Sequence, residues 1–78
     1  MAQKDIDEAL LQVLEAWRAD EAARRSLPRY IVADNKTLEA LARDKPATIS
    51  KLKLVHGVGP KMIELYADDL LVMIKEHA

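Results

Sequence analysis

Gly57-Val58-Gly59 runs directly into Pro60 and Lys61, and this string holds the most pointed chemistry in the 78-residue chain. Glycine suits a backbone that turns through positive φ or comes close to another group. Proline gives up no needed N–H in the first turn of a helix, and its fixed φ fits there. The string predicts a short helix through Leu54, a tight turn from His56 to Gly59, and a new helix starting at Pro60. That helix opens with uncapped N–H groups beside the Lys61 ammonium. Such an end attracts anions, and nucleic acid is the commonest large polyanion in a cell. The same residues also fit a plain corner, in which the glycines only allow the bend and Val58 plugs the core.

A second candidate is Arg29-Tyr30, in a stretch, SLPRYIVA, that Pro28 keeps out of the first helix. An aromatic ring beside a cation offers a stacking face to the bases of a single strand. The alternative is an amphipathic tyrosine that seals the core with its hydroxyl in water. Net charge is −1, yet it is segregated. Residues 24–61 carry nine basic side chains against three acids, a net +6, while residues 1–23 carry −4 and residues 62–78 carry −3. A near-neutral chain with a cationic middle can present a basic face if its helices bring those side chains together. The candidate nucleic-acid-binding set is therefore Tyr30, Arg29, Lys36, Lys51, Lys53, Gly57, Gly59 and Lys61.

Little else could do chemistry. The chain has no cysteine, and its two histidines are His56, beside the turn, and His77, next to the C-terminus. Neither completes a nucleophile–base–acid set, and no Walker-type phosphate loop is present. Asp68 and Asp69 are adjacent on a helix and point about 100° apart, a poor geometry for a shared metal. We expect no catalytic residue, no metal and no cofactor.

The elements that must position these residues follow from apolar spacing. Ile6, Leu10, Val13, Leu14 and Trp17 form one stripe of a helix from about Asp5 to Arg25, with Asp5, Asp7 and Glu8 in its first turn and Trp17 as a core anchor. SLPRYIVA reads as an ordered connector with at most one 3₁₀ turn, whose Ile31 or Val32 tucks into the core. Asp34 or Asn35 caps a short helix that buries Leu38, Leu41 and Ala42. Pro46 closes it, and Thr48 caps a helix of about seven residues carrying Ile49, Leu52 and Val55. After the turn, Ile63, Tyr66, Ala67, Leu70 and Ile74 make the last stripe, with Met62 and Met73 at its margins. The expected fold is all-α: a compact bundle of four to five short helices in a single domain, residues 1–78, with a core of about 6–76. That is near the lower size limit for a core unaided by disulfides or metal. No apolar run reaches the roughly 20 residues of a membrane span, and MAQKDIDEAL has no signal-peptide core, so a soluble intracellular protein is expected.

In this order the signals resemble the HRDC domain, a module of RecQ-type helicases, some UvrD-like helicases and ribonuclease D. The residues that carry the resemblance are Leu14 to Arg18; Pro28, Tyr30, Ile31 and Val32; Asp34, Thr37 and Leu38; Pro46 and Thr48; Gly57, Val58 and Gly59; and Lys61 with Tyr66. They span about residues 6–76. The Lys61-to-Tyr66 interval is one residue wider than the family pattern, and Ala33 stands where an aromatic residue is usual. The glycine turn is shared with helix-hairpin-helix modules, which hold a DNA phosphate between two helices.

The resemblance implies a non-catalytic accessory domain that helps a DNA helicase engage nucleic acid in repair or recombination, weakly binding single-stranded or partially duplex DNA. It carries the contact role over to Tyr30, with Arg29 and Lys36 beside it. The isolated domain is expected to be monomeric and without membrane association, in a cytoplasmic setting, nucleoid-associated in bacteria, or otherwise intracellular. The competing reading is a docking module with little DNA affinity. It would contact other domains of its parent helicase through Glu8, Glu15, Asp20, Glu64, Asp68 and Asp69. A further alternative is the same domain from ribonuclease D.

Overall fold

The computed structural model describes residues 5–78; residues 1–4 of the expected 1–78 domain, and with them the start of the N-terminal segment searched for a signal peptide, lie outside the described residues. Five helices and no strand make up the described chain: α1 (Glu8–Arg25), α2 (Arg29–Val32), α3 (Asn35–Asp44), α4 (Ile49–Leu52) and α5 (Pro60–Lys75). α1 is the spine, packing against α2, α3 and α5, and α4 leans on α5.

α1 begins at Glu8, three residues later than the spacing suggested. Asp7 has extended φ/ψ, and its Oδ1 accepts a hydrogen bond from the Leu10 N–H at 3.1 Å. A carboxylate at that position satisfies an otherwise orphaned amide, which makes Asp7 the cap and not a first-turn residue. Its other oxygen pairs with Lys45 Nζ at 2.7 Å, and that ammonium also donates to the His77 carbonyl at 3.0 Å. Lys45 thus ties both ends of the described chain to the C-cap of α3.

Leu10, Leu14, Leu38, Leu41, Leu52, Leu70 and Ile74 are fully buried, so aliphatic side chains fill a core that has no phenylalanine. Trp17 is half-buried and meets the Tyr66 ring edge-on, with centroids 5.0 Å apart. Three expectations need correction. The connector contains a full α-helical turn, α2, because Pro28 supplies an extended N-cap and the Ala33 N–H closes on the Arg29 carbonyl at 3.2 Å. α4 ends at Leu52 and is only four residues long. Beyond it the chain tightens into i→i+3 bonds, Leu54 N–H to Lys51 and Val55 N–H to Leu52, which leaves Leu54 84 % exposed while Val55 is buried. Finally, Met62 is buried as a member of the core and Ile63 is half-buried against it, the reverse of the expected order.

No helix among the described residues is long and apolar enough to cross a membrane.

Candidate nucleic-acid interface

Tyr30 owes its position to how α1 ends. Ser26 takes the left-handed conformation (φ 56°), and the Leu27 N–H reaches back to the Ala22 carbonyl at 2.9 Å, so the chain leaves the helix sharply. The single turn α2 then divides its side chains. Val32 goes inward, while Tyr30 is 69 % and Ile31 54 % exposed. The far end of α2 is held by Arg18, a buried arginine of α1. Its Nη1 donates to the Ala33 carbonyl at 3.0 Å and to Asn35 Oδ1 at 2.8 Å.

Asp34 caps α3. Its Oδ1 accepts from the Thr37 hydroxyl at 2.6 Å and the Thr37 N–H at 2.8 Å, and these two bonds hold the carboxyl below the usual carboxylate range. The buried Thr37 is also what the glycine turn packs against. A Cβ built on Gly57 would lie 2.0 Å from Thr37 Oγ1, and Gly57 has φ +91°. Both close approach and positive φ therefore demand glycine there. Gly59 differs: its φ is −101°, and a Cβ there would meet nothing within 4 Å. No side chain caps α5, whose first residue is Pro60.

These pieces enclose a surface groove of about 370 Å³. Leu27, Ile31, Met62 and Leu65 give it an apolar lining, and Tyr30, Gly57, Gly59 and Lys61 border it together with Arg25. Of the expected site residues, the fold thus brings Tyr30, Gly57, Gly59 and Lys61 to one place. Arg29, Lys36, Lys51 and Lys53 are exposed but do not line the groove.

The +6 middle is less cationic than its count. Arg24 and Arg25 both pair with Glu21, Arg43 with Asp44 at 3.5 Å, and Lys45 with Asp7. Arg29, Lys36, Lys51, Lys53 and Lys61 have no ion-pair partner among the described residues. Glu21 is almost wholly buried, and Arg25, then Arg24, pull its pKa down to about 2, helped by the Tyr66 hydroxyl and opposed by burial. Burial, then Glu21, pushes the Tyr66 phenol up. The Arg25 guanidinium stands 5.7 Å from the centre of the Tyr66 ring.

Arg18, Glu21 and Arg25 were absent from the residues expected at the site, although the signal was there. Arg18 falls four residues after Leu14 and Glu21 four after Trp17, so each occupies a buried position of the α1 stripe with an ionisable side chain. Charges buried in that way need partners.

A five-helix domain with a glycine turn beside an exposed aromatic residue is the class that this geometry defines. The HRDC domain family matches residues 7–74, and the chain belongs to that family. It is similar to the ATP-dependent DNA helicase UvrD2 of Mycobacterium tuberculosis, 34% identical over 71 residues, covering 91% of this chain and 10% of that protein. It is similar also to ribonuclease D of Pseudomonas paraeruginosa, 34% identical over 70 residues, covering 90% of this chain and 19% of that protein. Among solved structures, HRDC domain 3 of D. radiodurans RecQ superposes with a TM-score of 0.86 at 32% identity, covering 91% of this chain and 93% of that one. The chain spans about a tenth of the length of the curated helicase it matches.

Proposed function

We propose that this domain is a non-catalytic accessory module of a DNA helicase that weakly binds single-stranded DNA through the groove between α2 and the start of α5. The observation that carries the reading is Tyr30: a phenol ring 69 % exposed at the border of a groove that also holds Gly57, Gly59 and Lys61. A base stacked on the ring contributes about 1–3 kcal/mol. The uncapped amino end of α5 and Lys61 favour a phosphate alongside it, and Arg29 and Lys36 lie within a few residues of the ring. One stack and two or three phosphate contacts suggest a Kd in the micromolar range or weaker. With about three phosphates engaged, log K should fall with log[salt] at a slope near −2, about a 15-fold loss between 50 and 200 mM salt. Fluorescence titration of a labelled oligothymidylate at the two salt concentrations tests this. Absence of binding at low salt contradicts it, as does binding insensitive to salt.

A second reading has its own observation. Glu64, Asp68 and Asp69 of α5 rim another groove, of about 320 Å³, into which Ile49 and Leu65 expose apolar surface. An acidic rim around apolar side chains suits a basic segment of the parent protein, either a helicase or a ribonuclease D. Reversing the charge of Asp68 and Asp69 should abolish capture of the parent's remaining domains and leave oligonucleotide binding intact if docking is the function. Unchanged capture excludes it.

A further inference from the structure

The groove has a border that the proposed single-strand reading does not use. Arg24 and Arg25 close the last turn of α1, and Arg25 lines the groove together with Tyr30 and Lys61. Their side chains are 72 % and 39 % exposed, but both guanidinium groups are engaged by one carboxylate, Glu21, whose side chain is only 5 % exposed. The acid lies inside and the cations outside, and each carboxylate oxygen takes one arginine. Two positive charges against one negative leave the cluster at +1, directed at solvent and at the groove.

We infer that Arg24 and Arg25 form a latent phosphodiester-binding site on the groove's α1 border, and that Glu21 is the built-in competitor that keeps it weak. The inference rests on the proposed single-strand reading. A phosphodiester, like a carboxylate, presents two anionic oxygens to a guanidinium, so the two compete for the same donors. A strand whose base stacks on Tyr30 brings its neighbouring phosphate within reach of a border residue. The cost of taking an arginine from Glu21 is that a buried carboxylate loses a partner, which holds occupancy low. The cluster also fastens α1 to Tyr66, through the Arg25 guanidinium near that ring and the Tyr66 hydroxyl near Glu21. A purely structural role for the arginines is therefore the competing account, and salt dependence separates the two.

The test uses the 78-residue chain and labelled oligothymidylate. Glu21→Gln keeps the shape of the side chain and removes its charge. It should tighten low-salt binding about two- to five-fold, the effect of freeing an exposed ion-pairing group. It should also steepen the salt slope by about 0.7 to 1.4, one or two more phosphates. Adding Arg24→Gln and Arg25→Gln should cancel both gains. Arg24→Gln alone, at the most exposed member, leaves Glu21 and Arg25 neutral together and should leave the slope near that of the wild type, because the site is little occupied while Glu21 is charged. A slope shallower by about 0.7, a full phosphate, in that variant means the arginines bind openly and overturns latency even if Glu21→Gln does not fold. An unchanged slope in Glu21→Gln protein of native helicity overturns the inference. Loss of binding in Tyr30→Ala without gain in Glu21→Gln overturns the latent site alone. Gain in Glu21→Gln without loss in Tyr30→Ala supports the latent site and overturns base stacking. No binding by any variant at low salt overturns both.

Discussion

Gly57 and Gly59 are indistinguishable in a motif, but the fold makes opposite demands on them, and alanine substitution should show it. At Gly57, φ is +91°, and a new Cβ would sit 2.0 Å from Thr37 Oγ1 and 3.1 Å from Thr37 Cβ. Forcing an L-residue into left-handed backbone costs about 1–2 kcal/mol. Relief of the overlap is not free either, because the threonine is buried and its hydroxyl donates to Asp34, the cap of α3. Overpacking of this kind costs about 1–3 kcal/mol. Gly57→Ala should thus lose about 2–5 kcal/mol, and for a domain of this size Tm should fall by about 10–30 °C. Gly59→Ala adds a Cβ that meets nothing at ordinary φ, so stability should hold or rise by up to about 1 kcal/mol. Thermal and urea unfolding followed by far-UV circular dichroism reads both. Thr37→Ala removes the clashing hydroxyl, so Gly57→Ala should cost less in that background than in the wild type. Equal losses at the two glycines, or full additivity of Gly57→Ala and Thr37→Ala, would refute the reasoning.

Further outcomes follow from the same geometry. The Glu21 carboxyl titrates at about 2 in the folded chain against an ordinary 4.5. Its contribution to stability is therefore complete above about pH 4.5 and is lost as pH falls toward 2. Asp7 and Asp34, also lowered, add acid sensitivity of the same sign. Urea unfolding across pH 2–5 should show a shallower acid loss in Glu21→Gln than in the wild type. Arg18→Ala strips the Ala33 carbonyl and Asn35 of their shared donor, and should cost at least the roughly 1–3 kcal/mol of an unsatisfied buried group. It should also weaken oligonucleotide binding, since the far end of α2 is no longer held; urea unfolding and the oligothymidylate titration read the two effects. Gly59→Ala, neutral for stability, puts a methyl at the groove and should weaken the oligonucleotide without lowering Tm.

Helix identity was legible because period and punctuation agreed. Pro28, Pro46 and Pro60 fall at boundaries, Asp34 and Thr48 are caps, and Leu10, Leu14, Leu70 and Ile74 lie on their stripes. What failed was local competition. Asp7 as first-turn charge or as cap, α2 as connector or helical turn, and the early end of α4 each turn on single hydrogen bonds that periodicity does not encode. At the candidate site, the pairing of Tyr30 with the glycine turn depends on α1 and α5 meeting, a long-range fact. The charge count misled because it could not see that Glu21 and Asp7, from outside the stretch, pair with Arg24, Arg25 and Lys45. Gly57 and Gly59 separate only once Thr37 is in place.

The most direct test of single-strand binding at this groove is to follow the backbone amides of isotopically labelled protein by NMR during titration with oligothymidylate. The proposed mode predicts saturable shifts at Tyr30, Ile31, Gly57, Gly59 and Lys61, all removed at matched concentrations by Tyr30→Ala. Shifts confined to the Glu64–Asp69 face, or a spectrum unchanged at low salt, would contradict it.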